Sequence, residues 1–273
     1  MIKMDVTYAV EQLEEKIRQY VHQSQTNGVI VGLSGGIDSA VVYRLCLRAL
    51  VPHSALVYSA YLPDRFSTEE NKKLVEKIAK HPFTMNHFEK NIEPISEAFM
   101  DDDLIGYEGN KVTQGNLRSR IRMVELYRIA NAHNLLVVGT TNKTEAYLGY
   151  YTKYGDGGVD FEPIGDLYKK EVYTIGEYLE LPKEVLTKPP SAGLWKGQTD
   201  EEELGYSYDV LDEIVWVLGH RWEGHGEKSS AILGLGEKGI TPKDVKFAKD
   251  MAKRNEHKKK MPRTFMVRKK RRD

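Results

Sequence analysis

The nine residues GLSGGIDSA, from Gly32 to Ala40, constrain this chain more than any other stretch. The apolar run GVIV precedes them and AVVYRLCLRAL follows, so a buried strand ends in small residues and turns at once into a helix. Two glycines would do for a plain strand–helix turn. Extra glycines and serines at a helix N-terminus let backbone N–H groups approach something anionic, and a phosphate is the usual guest. Asp38 is the odd member, because a carboxylate repels phosphate unless a divalent cation lies between them. Ser34 and Ser39 add hydroxyl donors. Two better-known loops do not apply. No G-x-x-x-x-G-K-[ST] occurs in the 273 residues, and the formal G-x-G-x-x-G, GLGEKG at Gly234 to Gly239, follows only three apolar residues and reads as a turn between helices.

Net charge gives no hint of a partner, since Lys+Arg and Asp+Glu are both 40. The distribution is uneven: nine of the basic residues fall between His257 and Asp273 against one acid, which leaves an acidic body. The single cysteine, Cys46, forbids an internal disulfide and sits in an apolar helix, where core packing is expected in a reducing compartment. The N-terminal stretch is acidic and periodic, unlike a signal peptide, and no apolar run approaches the roughly 18 residues of a membrane span.

Periodicity sketches the rest. Val6, Val10, Leu13, Ile17 and Val21 mark an amphipathic opening helix. Strands are expected at GVIVGLS, SALVYSAYLP, more weakly FTMNHFEKN, and LLVVGTT. Helices are expected over Ser39–Leu50, from a Ser67 capping box to about Lys80, over Pro94–Met100, over Gln114–Ala132 and from Thr144. In the Gln114–Ala132 helix, Leu117, Ile121, Val124 and Arg128 form one stripe. Further helices are expected over Tyr168–Leu179, Asp209–Leu218 and Pro242–Asn255, with long loops at TKYGDGGVDFEPIGD and KPPSAGLWKGQTDEEEL. Both loops are candidate lids. Strands alternating with helices over about 150 residues predict an α/β fold with a doubly wound parallel sheet flanked by helices, followed by a helical C-terminal third. Ligands of such sheets bind at the carboxyl ends of the strands, so GLSGGIDS and GTTNKTE should open on one edge.

SGGIDS resembles the pyrophosphatase loop of the ATP-pyrophosphatase (PP-loop) superfamily, whose fold is adenine nucleotide alpha hydrolase-like. QGNLRSRIRM, GTTNKTE, TKYGDGGVDFEPIGDLYKKEV, KPPSAGLW, TDEEELGYSYDVLD and EHKK, in that order, resemble NAD synthetase from about Val6 to Pro262. The resemblance implies one domain over 1–262, with a basic tail over 263–273. It implies an ATP-dependent, C–N bond-forming ligase that adenylates deamido-NAD, releases pyrophosphate, and lets ammonia displace AMP. By resemblance, Gly32, Leu33, Ser34, Gly35, Gly36, Ile37, Asp38 and Ser39 cradle ATP, with Thr140, Lys169 and Ser191 as further ATP positions. The family usually has threonine where Ser191 stands. Asp38 and Glu145 would bind Mg²⁺, and Lys169 would neutralise charge on the transferred phosphate.

Arg120, Lys153, Asp160, His257 and Lys258 map to the deamido-NAD side, with Asp160 as acceptor for a ribose hydroxyl or nicotinamide-side group. Asn116 shares the Arg120 helix face, whereas Arg118 and Arg122 share another; Asp156 and Glu162 lie near enough to contribute. The glutaminase domain of some family members would need over two hundred further residues. Free ammonia, or ammonia from a separate protein, is therefore expected. A homodimer in the cytoplasm is the family's usual state. Two other readings stay open: a different PP-loop adenylating enzyme, such as a tRNA-modifying one, favoured only by the basic tail; and a non-catalytic nucleotide-binding module, which would have no need of two separated metal carboxylates.

Overall fold

The computed structural model describes residues 4–80, 86–100, 110–195, 197–219 and 225–262. Within them the chain runs α1 (Val6–Gln23), β1 (Gly28–Gly32), α2 (Ile37–Leu50), β2 (Leu56–Tyr61), α3 (Glu69–Ala79), β3 (Asn86–Glu89), α4 (Glu93–Met100), α5 (Lys111–His133) and β4 (Leu135–Val138). It continues through α6 (Lys143–Leu148), α7 (Lys169–Tyr178), α8 (Lys183–Leu186), α9 (Asp200–Leu204), α10 (Tyr208–Gly219), α11 (His225–Glu237) and α12 (Pro242–Arg254). Part of the expected FTMNHFEKN strand, and the basic tail from Arg263, fall outside the described residues.

All four strands are parallel, in the order β3-β2-β1-β4. Chain order therefore steps outward from β1 through β2 to β3, then returns to the other side of β1. The gap between β1 and β4 is the topological switch point, where parallel sheets open a crevice at their carboxyl ends. Alternation sorts the strand side chains. Val29, Val31 and Val57 face a core made with α1, α2 and α7, while Ile30, Tyr58, Ala60 and Val137 face one made with Ile121 and Ile129 of α5. α2 is buried on nearly every side, Cys46 included, and burial pushes the Cys46 thiol up to about 12. A third apolar cluster, from Leu148 and Tyr168 to Leu211, Ile214, Leu235 and Ala248, welds α6, α10, α11 and α12 beside the carboxyl edge.

Four local expectations are corrected. The N-cap of α3 is Thr68, whose hydroxyl accepts from Asn71 N–H at 3.2 Å, and not Ser67. The Ser67 hydroxyl instead accepts from Asp64 N–H, inside a turn that Asp64 closes. The GLGEKG stretch is a turn only at its end: Gly234 and Gly236 lie within α11, and Gly239, at φ +75°, follows it. Only half of the expected α5 stripe, Leu117 and Ile121, lines the core. Ile121 is buried, but Val124 is 61% exposed and Arg128 turns outward onto Glu125, while the charged Arg118 lies buried. α5 also begins a turn earlier than expected, because Asn110 caps it by accepting from Val112 and Thr113 N–H.

That inverted pattern has a structural use. Arg122 donates to Asp64 Oδ2 at 2.8 Å and to the Leu62 carbonyl, and the Arg118 guanidinium lies 3.7 Å from both Asp64 and Glu93 and over the Phe66 ring. These pairs bind the segment after β2 to α5. Arg65, in the same segment, pairs with Glu93 and Glu97.

Candidate active site

β1 delivers the loop and β4 delivers the second half of the site. After Gly32 the chain turns through Ser34 and Gly35 into α2, whose N-cap, Gly36, offers no side-chain cap. Gly35 is required twice over. Its φ is +78°, and a Cβ there would meet Asn71 O at 3.1 Å. The hydroxyls of Ser34 and Ser39 lie 3.2 Å apart and brace the turn: Gly36 N–H donates to Ser34 Oγ, and Ser39 Oγ donates to the Gly36 carbonyl. Leu33 and Ile37 point into the core, so only their backbone faces the loop. The open first turn of a 14-residue helix gives this end a positive dipole and free N–H donors.

On the β4 side, Gly139, Thr140 and Thr141 lead into α6. Asn142 and Glu145 form a capping box, each side chain taking the other's backbone N–H. The box points both residues at α2. Asn142 Nδ2 donates to Asp38 Oδ1 at 3.1 Å, so its side chain bridges the two strand ends.

Lys169 joins everything. Its ammonium donates to Asp38 Oδ2 at 2.6 Å and to Glu145 Oε1 at 3.2 Å, and lies 4.7 Å over the Tyr208 ring. A lysine at the first position of a helix is ordinarily exposed; this one is 2% exposed. Asp212, from α10, holds it there by accepting from Lys169 and Lys170 N–H, and takes the Thr144 hydroxyl as well. The Tyr208 hydroxyl lies 3.1 Å from both Glu145 Oε1 and Asp200 Oδ2. One buried ammonium thus faces three carboxylates, Asp38, Glu145 and Asp200. Burial and that crowding set the charge states. The Glu145 carboxyl is pushed up to about 7, mainly by desolvation and against the pull of Lys169. Asp200 is raised by the same desolvation, and Lys169 is held protonated by its carboxylates despite burial. Glu162, whose carboxylate accepts from Thr141 N–H at 2.9 Å beside Gly139, is raised by burial to about 8.

This excess of negative charge, all of it hard oxygen, suits Mg²⁺. Among the described residues no cluster of three or more His, Cys, Asp or Glu could hold a metal as a protein cage. Two carboxylates completed by phosphate oxygens and water is the usual magnesium arrangement, and Asp38 and Glu145 fit it.

The remaining expected residues divide. Arg120 Nε donates to the Lys153 carbonyl at 3.3 Å, Lys153 Nζ to the His257 carbonyl at 2.7 Å, and Lys258 Nζ to the Gly149 and Tyr151 carbonyls. Those four therefore share one patch around the turn after α6. Asp160 is not bonded to them. Its carboxylate accepts from Val137 N–H of β4 and from the Tyr127 hydroxyl. The Ser191 hydroxyl serves its own loop, accepting from Gly193 N–H and donating to the Gln198 carbonyl. Of the two expected lids, the glycine-rich one is a fixed turn. Asn116 takes the Thr152 hydroxyl, Ser119 Oγ donates to Asp156 at 2.7 Å, and a Cβ on Gly155 would strike Ser119 at 2.2 Å. The loop through Ser191 is tied to the site by Asp200, which accepts from Ala192 N–H.

Asn142, Asp200, Tyr208 and Asp212 were not singled out from sequence. Asn142 had a readable signal, the N-x-x-E form of a helix start, hidden under a formal glycosylation sequon, Asn142-Lys143-Thr144. The other three lie in TDEEELGYSYDVLD, on α9 and α10, a stretch that carries the resemblance without marking which of its residues face the site.

A braced, uncapped loop at a parallel switch point, facing a lysine trapped between carboxylates from both flanking strands, defines a nucleotide-handling α/β protein of the PP-loop type. Residues 9–262 match the family model described as NAD synthase, and the chain belongs to that family. It is 42% identical over 267 residues to an NH3-dependent NAD+ synthetase of Archaeoglobus fulgidus, covering 97% of this chain and 99% of the relative. Among solved structures it is similar to the NH3-dependent NAD synthetase of Campylobacter jejuni in complex with the nitrate ion (TM-score 0.77, 30% identity, 97% of this chain and 100% of that one). It is also similar to the NMN synthetase of Francisella tularensis (TM-score 0.79, 30% identity, 96% and 99%).

Proposed function

We propose that this chain amidates deamido-NAD to NAD with ammonia, at the expense of ATP. The observation that supports it most is the Lys169 ammonium held between Asp38, after β1, and Glu145, after β4, beside the phosphate-type loop. A carboxylate is a poor electrophile, so its oxygen first attacks the α-phosphorus of ATP. The bond to the bridging oxygen breaks and pyrophosphate leaves. Ammonia then attacks the acyl carbon, AMP departs, and the tetrahedral adduct sheds a proton to leave the amide.

The chain's own groups mostly position and neutralise. The loop from Gly32 to Ser39 takes the phosphates, with the uncapped first turn of α2 and the Ser34 and Ser39 hydroxyls as donors. Lys169 offsets charge on the transferred phosphoryl group, while Tyr208 and Asn142 hold Glu145 and Asp38 in place. Mg²⁺ bound to Asp38 and Glu145 would supply charge neutralisation on the phosphate oxygens. Arg120, Lys153, His257 and Lys258 form the deamido-NAD patch. Asp160 contributes through the turn it fixes on β4, and Thr140 and Ser191 line the ATP side. By the family resemblance, the working unit is a cytoplasmic homodimer.

The test is an assay with ATP, Mg²⁺, ammonium and deamido-NAD, following NAD, AMP and pyrophosphate, with nicotinate mononucleotide as the competing substrate. NAD and AMP in equal amounts, with slower turnover of the mononucleotide, is the expected result. Preference for the mononucleotide would replace the substrate, and absence of AMP would replace the reaction. Asp38→Asn and Glu145→Gln should each abolish turnover without loss of folded protein.

A further inference from the structure

Lys188 is the one lysine of the KPPSAGLW stretch that reaches the phosphate-type loop. Its ammonium lies 3.4 Å from the Gly35 carbonyl oxygen, and 3.6 Å from where a Cβ on Gly35 would stand. Its strong hydrogen bond, at 2.6 Å, goes to the neutral amide oxygen of Asn71 on α3. Among the described residues no carboxylate lies within ion-pair distance of it; Glu70 acts only from farther away. Burial weakens its hold on the proton. A half-desolvated ammonium with neutral partners is an unfavourable thing to keep unless an anion visits it.

The backbone around Lys188 is stiff. α8 ends just before it, Pro189 and Pro190 follow it, and the Tyr173 hydroxyl donates to its carbonyl. Lys169, at the Asp38 side of the same loop, is already matched by two carboxylates. The two lysines thus stand at opposite ends of the anion-binding turn, one neutralised and one not.

We propose that Lys188 binds the β- and γ-phosphates of ATP and takes up the charge that develops on the departing pyrophosphate. This rests on ATP being the loop's ligand, as in the proposed function. In the adenylation step the carboxylate oxygen bonds to the α-phosphorus. The electrons of the breaking Pα–O bond stay on the bridging oxygen, so pyrophosphate gains negative charge where the Lys188 ammonium waits.

The experiment compares the full chain with Lys188→Met, Lys188→Arg and Asn71→Ala. It measures inhibition by inorganic pyrophosphate, and ATP–pyrophosphate exchange driven by deamido-NAD without ammonia. Lys188→Met should weaken pyrophosphate inhibition about tenfold and slow exchange roughly a hundredfold, the scale of one lost charge-assisted contact to a leaving group. The Michaelis constants for deamido-NAD and ammonium should hold, and Lys188→Arg should recover most of the exchange. Asn71→Ala, which frees the ammonium without removing it, should keep pyrophosphate binding, and it stands in if Lys188→Met fails to fold. Unchanged pyrophosphate inhibition in folded Lys188→Met, or loss of it in Asn71→Ala, would overturn the inference and leave a mere latch between α3 and the loop. A wild-type chain that makes neither NAD nor pyrophosphate would sink the ligase reading itself.

Discussion

At the scale of single residues, charge states carry the account. Glu162 is buried beside Gly139, where a Cβ would strike its carboxyl at 2.3 Å, and its pKa rises to about 8. A raised carboxyl favours the protonated fold. Between the unfolded value of about 4.5 and about 8 the folded state binds the extra proton, so stability falls as pH rises through that window. Glu162→Gln removes the ionisation and keeps an acceptor for Thr141. Its melting temperature should match wild type at pH 5 and exceed it at pH 9, by calorimetry; equal gaps at both pH values would contradict the assignment. Lys169→Met should lower kcat roughly a hundred- to a thousandfold, measured by single-turnover adenylation, because the transferred charge loses its partner. At this scale the sequence displayed Asp38, Glu145 and Lys169, since each sits in a distinctive motif. Asp200, Tyr208 and Asp212 also lie in a motif, TDEEELGYSYDVLD, but nothing in their residue types tells a buried hydrogen-bond partner from a surface acid or tyrosine.

At the scale of elements, helix starts do much of the positioning. The start of α7 is satisfied from two sides: its own Glu171 accepts from Tyr168 N–H, and Asp212, which belongs to α10, accepts from both Lys169 and Lys170 N–H. Asp212→Ala leaves buried donors unsatisfied and should cost about 1–3 kcal/mol in urea unfolding. It should also lower kcat, because Lys169 loses its anchor; Asp212→Asn, which retains an acceptor, should lose less of both. Full activity in a folded Asp212→Ala would detach the cap from the site. Strands and long helices were legible from periodicity, because burial on a sheet or one helix face repeats along the chain. The ends were not. Ser67 and Thr68 are both good caps, and Asp64 decides between them by engaging Ser67. α11 escaped notice because HGEKSSAILGLGE carries three glycines and paired serines. Leu235 and Ile240, packed into the C-terminal cluster, supply what its propensity lacks.

At the scale of the whole molecule, the sheet order explains the site. Asp38 and Glu145 are over a hundred residues apart in sequence, yet β1 and β4 are neighbours, so both motifs open on the switch-point crevice. That was legible as strands alternating with helices. The buried Asp64–Arg118–Arg122 network was not, since charged residues on a helix read as a solvated face. It joins the segment after β2 to α5, and Asp64→Ala should destabilise the fold by about 3–5 kcal/mol in urea unfolding by stranding buried arginine charge. A loss below about 1 kcal/mol, the range of surface pairs, would show that water already reaches it.

The central claim is that the two strand ends converge on one cation that grips a triphosphate. The most direct measurement is a crystal structure with Mn²⁺ in place of Mg²⁺ and a non-hydrolysable ATP analogue, read by anomalous scattering. The account predicts a manganese peak coordinated by Asp38 and Glu145, with the phosphates against the loop from Gly32 to Ser39 and the first turn of α2. A peak bound elsewhere, or a triphosphate lying away from that loop, would contradict it.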